Sequence, residues 1–194
     1  MNKENHIKTD IYISGKKVFL RSLKKKDALG NWWQWLNNKN VTKYMAKGTQ
    51  RNTAAKQVEF FEEINLSKTD IALAICDMKS RSHVGTTALH KIDWAKGSAQ
   101  FGIIIGEEDY WGQGIGTEAW FLLTDYAFSV LKLKTIYTKI FKDNLPSLKI
   151  AEKCGFKEKL FLPEDVAKNG CFFDRYLLQL TKFNWDQVKV KRNL

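Results

Sequence analysis

A segment with alternating glycines, Gly112-Gln-Gly-Ile-Gly116, most restricts what this chain can fold into. It follows a strand-like apolar run at residues 99–105 and precedes a long apolar run of helical period. Where side chains are absent, successive backbone N–H groups can turn toward one anion, and a helix that begins there adds the positive end of its dipole. The segment therefore predicts a strand–loop–helix unit that binds phosphate or pyrophosphate. A tight turn without a ligand is the alternative.

The same glycines also fit a competing motif. Residues 114–119, Gly-Ile-Gly-Thr-Glu-Ala, satisfy the dinucleotide pattern G-x-G-x-x-G/A, and Asp143 follows at roughly the distance where that pattern expects an acidic residue. The motif comes late, however, and only about 80 residues follow it. That is too few for the second nucleotide-binding half of such a fold, so a single phosphate-binding loop is the better interpretation.

Hydrophobic periodicity predicts strands and helices in mixed order. Strands are predicted at 18–23, 71–76, 84–92, 99–105, 135–141, 156–162 and 172–180, and the third and fourth form an antiparallel pair. Helices are predicted at 27–36 with Asp27 as N-cap, at 53–66, at 117–131, and from Asn144 to a C-terminal cap at Gly155. This order predicts an α/β fold, a mixed sheet with helices on its faces. No linker-like stretch or repeat divides the chain, so one domain over residues 1–194 is expected.

Composition narrows the class of protein further. The 194 residues are 44% hydrophobic, without an apolar run near the ~20 residues of a spanning helix, and the N-terminus lacks the apolar stretch of a signal peptide. Three cysteines and three histidines show no metal-ligand spacing. We therefore expect a cytoplasmic protein with no membrane partner and no metal.

The net charge of +11 is unevenly distributed. Residues 1–56 carry 13 basic and 3 acidic side chains (+10), residues 57–131 carry 5 and 11 (−6), and residues 132–194 carry 14 and 7 (+7). Basic flanks favour a polyanion such as a phosphorylated cofactor or a ribosomal surface, and a solvated Lys-rich surface explains them equally well. No recognition motif for nucleic acid is present, so specific nucleic-acid binding is not expected.

Two motifs together carry a resemblance to a known family. Tyr110-Trp-Gly-Gln-Gly-Ile-Gly-Thr-Glu-Ala119 and, one predicted strand later, Asn144-Leu-Pro-Ser-Leu-Lys-Ile-Ala-Glu-Lys-Cys-Gly-Phe156 resemble the GNAT superfamily of acetyl-CoA dependent N-acetyltransferases. Residues 18–44 are similar to its bacterial ribosomal-protein N-acetyltransferase branch, and residues 99–105 and 125–131 to spermidine acetyltransferases. The resemblance covers about residues 15–188. It implies the GNAT fold, a central mixed and mostly antiparallel twisted sheet with helices on both faces and a splayed strand pair that holds the coenzyme.

The resemblance also implies a set of coenzyme-binding residues. Backbone N–H groups of the glycine loop would bind the pyrophosphate of acetyl-CoA, and one near Ile104 or Ile105 would polarise the thioester carbonyl. Asn144 matches a coenzyme-contacting Asn of the family, and N-capping of the next helix is its alternative role. The candidates are Ile104, Ile105, Gln113, Gly114, Ile115, Gly116, Thr117, Asn144 and Ser147.

One position departs from the family pattern. A Tyr that protonates the departing thiolate commonly stands seven residues after the family Asn, and this chain has Ala151 there. Ser147 matches a serine of the ribosomal-protein branch whose hydroxyl can donate to a thiolate, and a helix-interior Ser bonded to a backbone carbonyl is the alternative. The attacking amine must arrive neutral, and Glu108 and His90 are the candidate bases.

Aromatic residues of the N-terminal third are candidates for the acceptor groove. Trp32, Trp35 and Tyr44 fall in the segment that shapes this groove in similar enzymes. Core packing is the alternative for the Trp residues.

We therefore expect an acetyl-CoA dependent N-acetyltransferase that works by direct transfer in a ternary complex. The expected acceptor is a primary amine, with a protein N-terminus, an amino sugar or a nucleotide sugar ahead of polyamines and aminoglycosides. A non-catalytic acetyl-CoA-binding module, which Ala151 favours, is the alternative from another class. A homodimer is a further option.

Overall fold

The computed structural model describes residues 12–46 and 51–192. The N-terminal segment, in which no signal peptide is expected, lies outside these ranges. The strands of the described part are β1 (Tyr12–Ser14), β2 (Val18–Ser22), β3 (Ile71–Asp77), β4 (His83–Asp93), β5 (Ser98–Ile105), β6 (Thr135–Phe141), β7 (Lys157–Lys168) and β8 (Cys171–Thr181). Its helices are α1 (Lys25–Leu29), α2 (Trp32–Trp35), α3 (Lys39–Thr42), α4 (Ala54–Leu66), α5 (Ile115–Ser129), α6 (Leu145–Lys153) and α7 (Lys182–Arg192).

All eight described strands belong to one mixed sheet, in the order β1-β2-β3-β4-β5-β6-β8-β7. Every neighbouring pair is antiparallel except β5 and β6, which are parallel. Pairing between β5 and β6 ends after Gln100 and Tyr137, and the two strands then diverge. The predicted fold class is therefore confirmed, including the splayed strand pair.

The side chains of a central strand alternate between two core clusters, which explains why helices cover both faces of the sheet. Leu73 and Ile75 of β3 lie in a core cluster with α5, whereas Ala74 and Cys76 lie in a second cluster with α1, α2 and α4. Successive side chains of a strand point to opposite faces, so a strand that is apolar at nearly every position needs a cover on each. Trp120 of α5 is 2% exposed and anchors the larger cluster.

The predicted helix over residues 27–36 is wrong in its details. Two short helices, α1 and α2, occupy this stretch, and Gly30 lies between them. Asp27 is inside α1, where its carboxylate accepts from the N–H of Lys24 at 2.7 Å and from both terminal nitrogens of Arg21 at 2.7 Å. Burial alone would raise the pKa of Asp27, but these hydrogen bonds hold that pKa below its usual value.

Candidate active site

The divergence of β5 from β6 leaves one edge of β5 unpaired beyond Gln100. Just after β5, the N–H of Gly106 donates to the carbonyl of Val84 at 2.9 Å. Val84 lies in β4, the strand on the paired side of β5. Because the polar groups of successive strand residues point to opposite sides, the backbone of Ile104 also faces β4 and that of Ile105 faces the gap. Of the two candidates from the sequence, the geometry thus favours Ile105, and it adds Ile103, which the sequence analysis missed.

The glycine loop adopts backbone conformations that other residues rarely take. Gly112 has φ +73° and Gly114 has φ +82°, both in the left-handed region that costs other L-residues roughly 1–2 kcal/mol. Gly114 immediately precedes α5, so this helix starts two residues before the predicted position. The first N–H groups of a helix have no partner within it, and no side chain of the described residues caps this end. The N–H groups of Ile115, Gly116 and Thr117 therefore suit a pyrophosphate.

The start of α5 lies against both the unpaired end of β5 and α6. A Cβ atom at Gly116 would be 3.5 Å from Cγ1 of Ile105 and 3.9 Å from Cδ1 of Ile150 on α6. The side chain of Ile115 is buried, at 4% exposure, so this residue offers only its backbone to a ligand. The loop, the gap and α6 consequently form one continuous site.

A lysine from a distant part of the chain stands beside the glycine loop. Nζ of Lys17 donates to the carbonyl of Gln113 at 2.7 Å and would be 3.3 Å from a Cβ at Gly114. Lys17 lies in the β1–β2 turn, whose N–H groups at residues 16–18 all donate to the carboxylate of Glu118 on α5, at 2.7–3.0 Å. Local sequence could not predict this cation, because 96 residues separate it from Gln113.

The N-terminus of α6 offers two polar side chains. Oδ1 of Asn144 accepts from the N–H of Ser147 at 3.3 Å and caps α6, which is the alternative role expected for Asn144. Within residues 12–46 and 51–192, no hydrogen bond engages Nδ2 of Asn144 or Oγ of Ser147. Ser147 is therefore not bonded to a helix carbonyl. Ala151, one turn further, is fully buried in the core.

Two carboxylates after β5 connect this strand to α2 and α3. Oε1 of Glu107 accepts from Nδ2 of Asn31 and from Nε1 of Trp35, both at 2.9 Å. The exposed Glu108, a candidate base, accepts from Nδ2 of Asn38 at 2.7 Å and of Asn40 at 3.1 Å. Both side chains thus link α2 and α3 to the end of β5.

His90 lies away from the unpaired part of β5. It pairs with Gln100 in the ladder, whereas Gly85, five residues earlier on β4, pairs with Ile105. Five residues span roughly 17 Å at about 3.4 Å each. Nδ1 of His90 instead lies 2.9 Å from Oδ1 of Asp70. The structure therefore corrects this candidate, because a base at that distance cannot take a proton from an amine beside Ile105.

The three predicted groove aromatics divide between core and cavity. Trp32 and Trp35 are each 4% exposed and pack in the second core cluster, so the structure assigns these two indoles to packing. A Cβ at Gly106 would be only 1.9 Å from the ring of Trp35, which explains the glycine there. Tyr44, in contrast, lines a cavity of about 1150 Å³.

The described residues contain neither a cluster of metal-ligating side chains nor a helix that could span a membrane. Among them, no group of three His, Cys, Asp or Glu side chains could hold a metal ion. In the same ranges no helix combines the length and apolar character needed to cross a bilayer.

Residues 17–157, which include the glycine loop and α6, match the family model described as acetyltransferase (GNAT) domain. The chain is 28% identical over 170 residues to an uncharacterized N-acetyltransferase, p20, of Bacillus licheniformis. That alignment covers 86% of this chain and 93% of p20. It is 30% identical over 105 residues to a ribosomal N-acetyltransferase-like protein of Bacillus subtilis, covering 54% and 57%.

Solved structures agree with the family match. The spermidine N-acetyltransferase from Vibrio cholerae, in complex with CoA and spermine, superposes with a TM-score of 0.81 at 23% identity, covering 88% of this chain and 99% of that one. At this identity the likeness shows the fold. Together with the family model, which spans most of the chain and both motifs, it establishes that the protein belongs to the GNAT superfamily and is an acetyl-CoA dependent N-acetyltransferase.

Proposed function

We propose that this enzyme acetylates a primary amine by direct transfer in a ternary complex, with acetyl-CoA bound beside the end of β5 and the amine beside the end of β6, where the two strands diverge. The observation that carries the proposal is the position of this gap. The glycine loop and α5 adjoin the unpaired edge at Ile105, and the cavity that contains Tyr44 opens where β6 ends. An anion-binding site beside β5 and a roomy cavity beside β6 suit two substrates that bind together.

The chain's backbone does most of the coenzyme binding in this proposal. N–H groups at the start of α5 bind the pyrophosphate, Lys17 adds a positive charge, and the unpaired edge of β5 pairs with the amide-bearing arm. When bound, acetyl-CoA supplies a thioester, an activated acetyl group with a thiolate as leaving group. The N–H of Ile105 is placed to polarise the thioester carbonyl.

The transfer requires one proton to leave the amine and one hydrogen-bond donor near the sulfur. The amine nitrogen forms the new C–N bond as the C–S bond breaks, and its proton passes to Glu108 directly or through water. Oγ of Ser147 donates to the departing thiolate, which then takes a proton from solvent. The hydroxyl of Ser147 supports this role because it has no partner among the described residues.

A protein N-terminus, an amino sugar or a nucleotide sugar is the favoured acceptor class, ahead of polyamines. We also propose a cytoplasmic location, which is favoured because none of the three cysteines, all among the described residues, forms a disulfide.

Steady-state assays with a panel of amines test the proposal. Purified protein with acetyl-CoA and a suitable amine should release free thiol in step with N-acetylated amine, measured by a thiol reagent and by mass spectrometry. Double-reciprocal plots should intersect, and protein incubated with acetyl-CoA alone should carry no acetyl group. Parallel plots with an acetylated enzyme would overturn direct transfer, and absence of thiol release with every amine would overturn the proposed activity.

A further inference from the structure

The acceptor cavity is built from three separate parts of the chain. The first part is the segment around α3, residues 36–44, together with the nearby Arg51. The second is the end of β6, and the third is the turn between β7 and β8. Asp143, in the wall, immediately precedes Asn144, the N-cap of α6. The cavity therefore meets the active site at the start of α6, and its lining determines what acceptor can enter.

Positive side chains dominate this lining. Among the described residues, five cations and two carboxylates line it, a net charge of +3: Lys39, Lys43, Arg51, Lys142 and Lys168 against Asp143 and Asp174. Lys142 and Asp174 neutralise each other, since their charged atoms are 3.3 Å apart. Four cations then face one remaining carboxylate, although the middle of the chain is acidic.

Three hydrogen bonds hold Lys168 in the cavity wall. Its Nζ donates to the carbonyls of Thr42, Lys43 and Met45 at 2.8, 3.1 and 3.2 Å. Carbonyl oxygens orient an ammonium group without cancelling its charge. Because these bonds also join β7 to the end of α3, substitution of Lys168 would disturb the wall itself.

Aromatic rings form an apolar surface next to these cations. The ring centroid of Phe141 lies 6.0 Å from that of Tyr44 and 5.9 Å from that of Phe173. The hydroxyl of Tyr44 donates to the carbonyl of Asp143 at 3.0 Å, which fixes this ring in the wall. Such a surface suits the face of a sugar or a base beside a charged group.

We infer that the acceptor is a small primary amine that also carries a phosphate group, such as a phosphorylated amino sugar or its nucleotide ester. This inference rests on the proposed N-acetyltransferase activity and narrows its substrate. A phosphate accepts charge-assisted hydrogen bonds from Lys and bidentate ones from Arg. A polyamine brings several positive charges into a cavity that is itself positive, which opposes its binding.

Paired amines that differ only in the phosphate provide the test. We would compare kcat/KM for glucosamine 6-phosphate against glucosamine, and for O-phosphoethanolamine against ethanolamine, with spermidine alongside, at fixed acetyl-CoA. The phosphorylated member of each pair should be favoured at least about tenfold, and added salt should reduce this preference. Equal rates within both pairs, or a preference for spermidine, would overturn the inference.

Charge-neutralising variants assign the preference to the cavity. Lys43→Gln and Arg51→Gln remove exposed cations of the wall, and each should reduce the phosphate preference roughly tenfold. Lys25→Gln and Lys96→Gln make the same charge change at exposed sites that do not line the cavity, and they should leave it unchanged. A loss shared equally by all four variants would instead indicate a nonspecific effect of net charge and would refute the assigned site.

A binding measurement separates failure of this inference from failure of the proposed activity. Titration of O-phosphoethanolamine into protein saturated with CoA, so that the phosphate loop is occupied, should give binding that Arg51→Gln weakens. If no amine turns over but this binding is found, the proposed activity fails and the anion site stands. If amines turn over without any phosphate preference or binding, only the present inference is lost.

Discussion

The indole Nε1 of Trp111 lies 3.0 Å from the carbonyl oxygen of Ile105, and this hydrogen bond joins the head of the glycine loop to the unpaired edge of β5. The ring of Trp111 is 43% exposed, so burial alone does not hold it in place. The bond occupies the carbonyl that β6 would engage in a continuous sheet. It thereby fixes the direction in which the Ile105 peptide faces the gap.

Replacement of Trp111 by Phe should weaken catalysis with acetyl-CoA several-fold. The ring remains, but the donor is lost, and a neutral hydrogen bond contributes about 1 kcal/mol, or roughly fivefold. Steady-state kinetics with varied acetyl-CoA would measure the change in kcat/KM. Trp94→Phe is the matched control, because its indole also donates to a backbone carbonyl, that of Lys68 at 2.8 Å, outside the site. Equal losses in both variants would contradict the role of Trp111.

Gly114→Ala should reduce coenzyme affinity. A Cβ at φ +82° adds about 1–2 kcal/mol of backbone strain, and relief of that strain would turn the N–H groups of the loop away from their common anion. Gly97→Ala introduces a similar strain at φ +67° in the β4–β5 turn. Both variants should lose similar thermal stability, but calorimetric titration should show weaker CoA binding only for Gly114→Ala. Unchanged affinity in Gly114→Ala would remove the phosphate site from this loop.

Lys17→Met should raise KM for acetyl-CoA several-fold through the lost charge beside the loop. The same variant should show no change with acetyl-pantetheine, which lacks the pyrophosphate. Lys16→Met removes the neighbouring exposed charge, and only its backbone N–H contacts Glu118, so it serves as the control. If Lys17→Met affected both thioesters equally, the side chain would act on the fold of the turn and not on phosphate.

Local pattern was sufficient to predict most of the fold. The glycines of the loop, the cap at Asn144 with the left-handed Gly155, and the apolar strands each carry their signal within a few residues, and the structure has the predicted elements there. The strand Thr135–Phe141 matches its prediction to the residue. The helix α7 was missed, because few of its side chains are apolar and, among those whose burial is described, only Trp185 is deeply buried.

The parts of the site that could not be predicted depend on contacts between distant residues. Lys17 contacts Gln113 while Glu118 binds the β1–β2 turn, and no local sequence pattern predicts that pairing. The same holds for Trp32 and Trp35, whose indoles suit a groove or a core equally well until the sheet face that covers them is known. His90 has a suitable side chain for a base, but its register opposite Gln100 decides its place.

Ser147→Ala should lower kcat roughly 10- to 100-fold with little change in KM for acetyl-CoA. A hydrogen bond to a developing thiolate contributes about 1.5–3 kcal/mol, and it forms only as the C–S bond breaks. Ser129→Ala on α5, where the hydroxyl donates to Asp125 at 3.1 Å, is the matched control. Ser147→Thr keeps the hydroxyl and should retain part of the activity. A Ser147→Ala enzyme with unchanged kcat across pH would remove this residue from the chemistry.

The buried His83 should make the fold lose stability in mild acid. Burial lowers the pKa of His83 to about 4, against the attraction of Asp27, whose Oδ1 is 3.7 Å from Nδ1. The unfolded chain, with a His pKa near 6.5, therefore binds more protons than the folded one between about pH 4 and 6.5. The contribution of His83 to the free energy of unfolding should be complete above pH 6.5. It should fall by up to about 3 kcal/mol as the pH drops toward 4. Urea unfolding at several pH values measures this decline in stability.

His83→Gln should flatten the decline between pH 6.5 and 4, whereas His90→Gln should retain it. A decline that persists in His83→Gln would show that another group causes it.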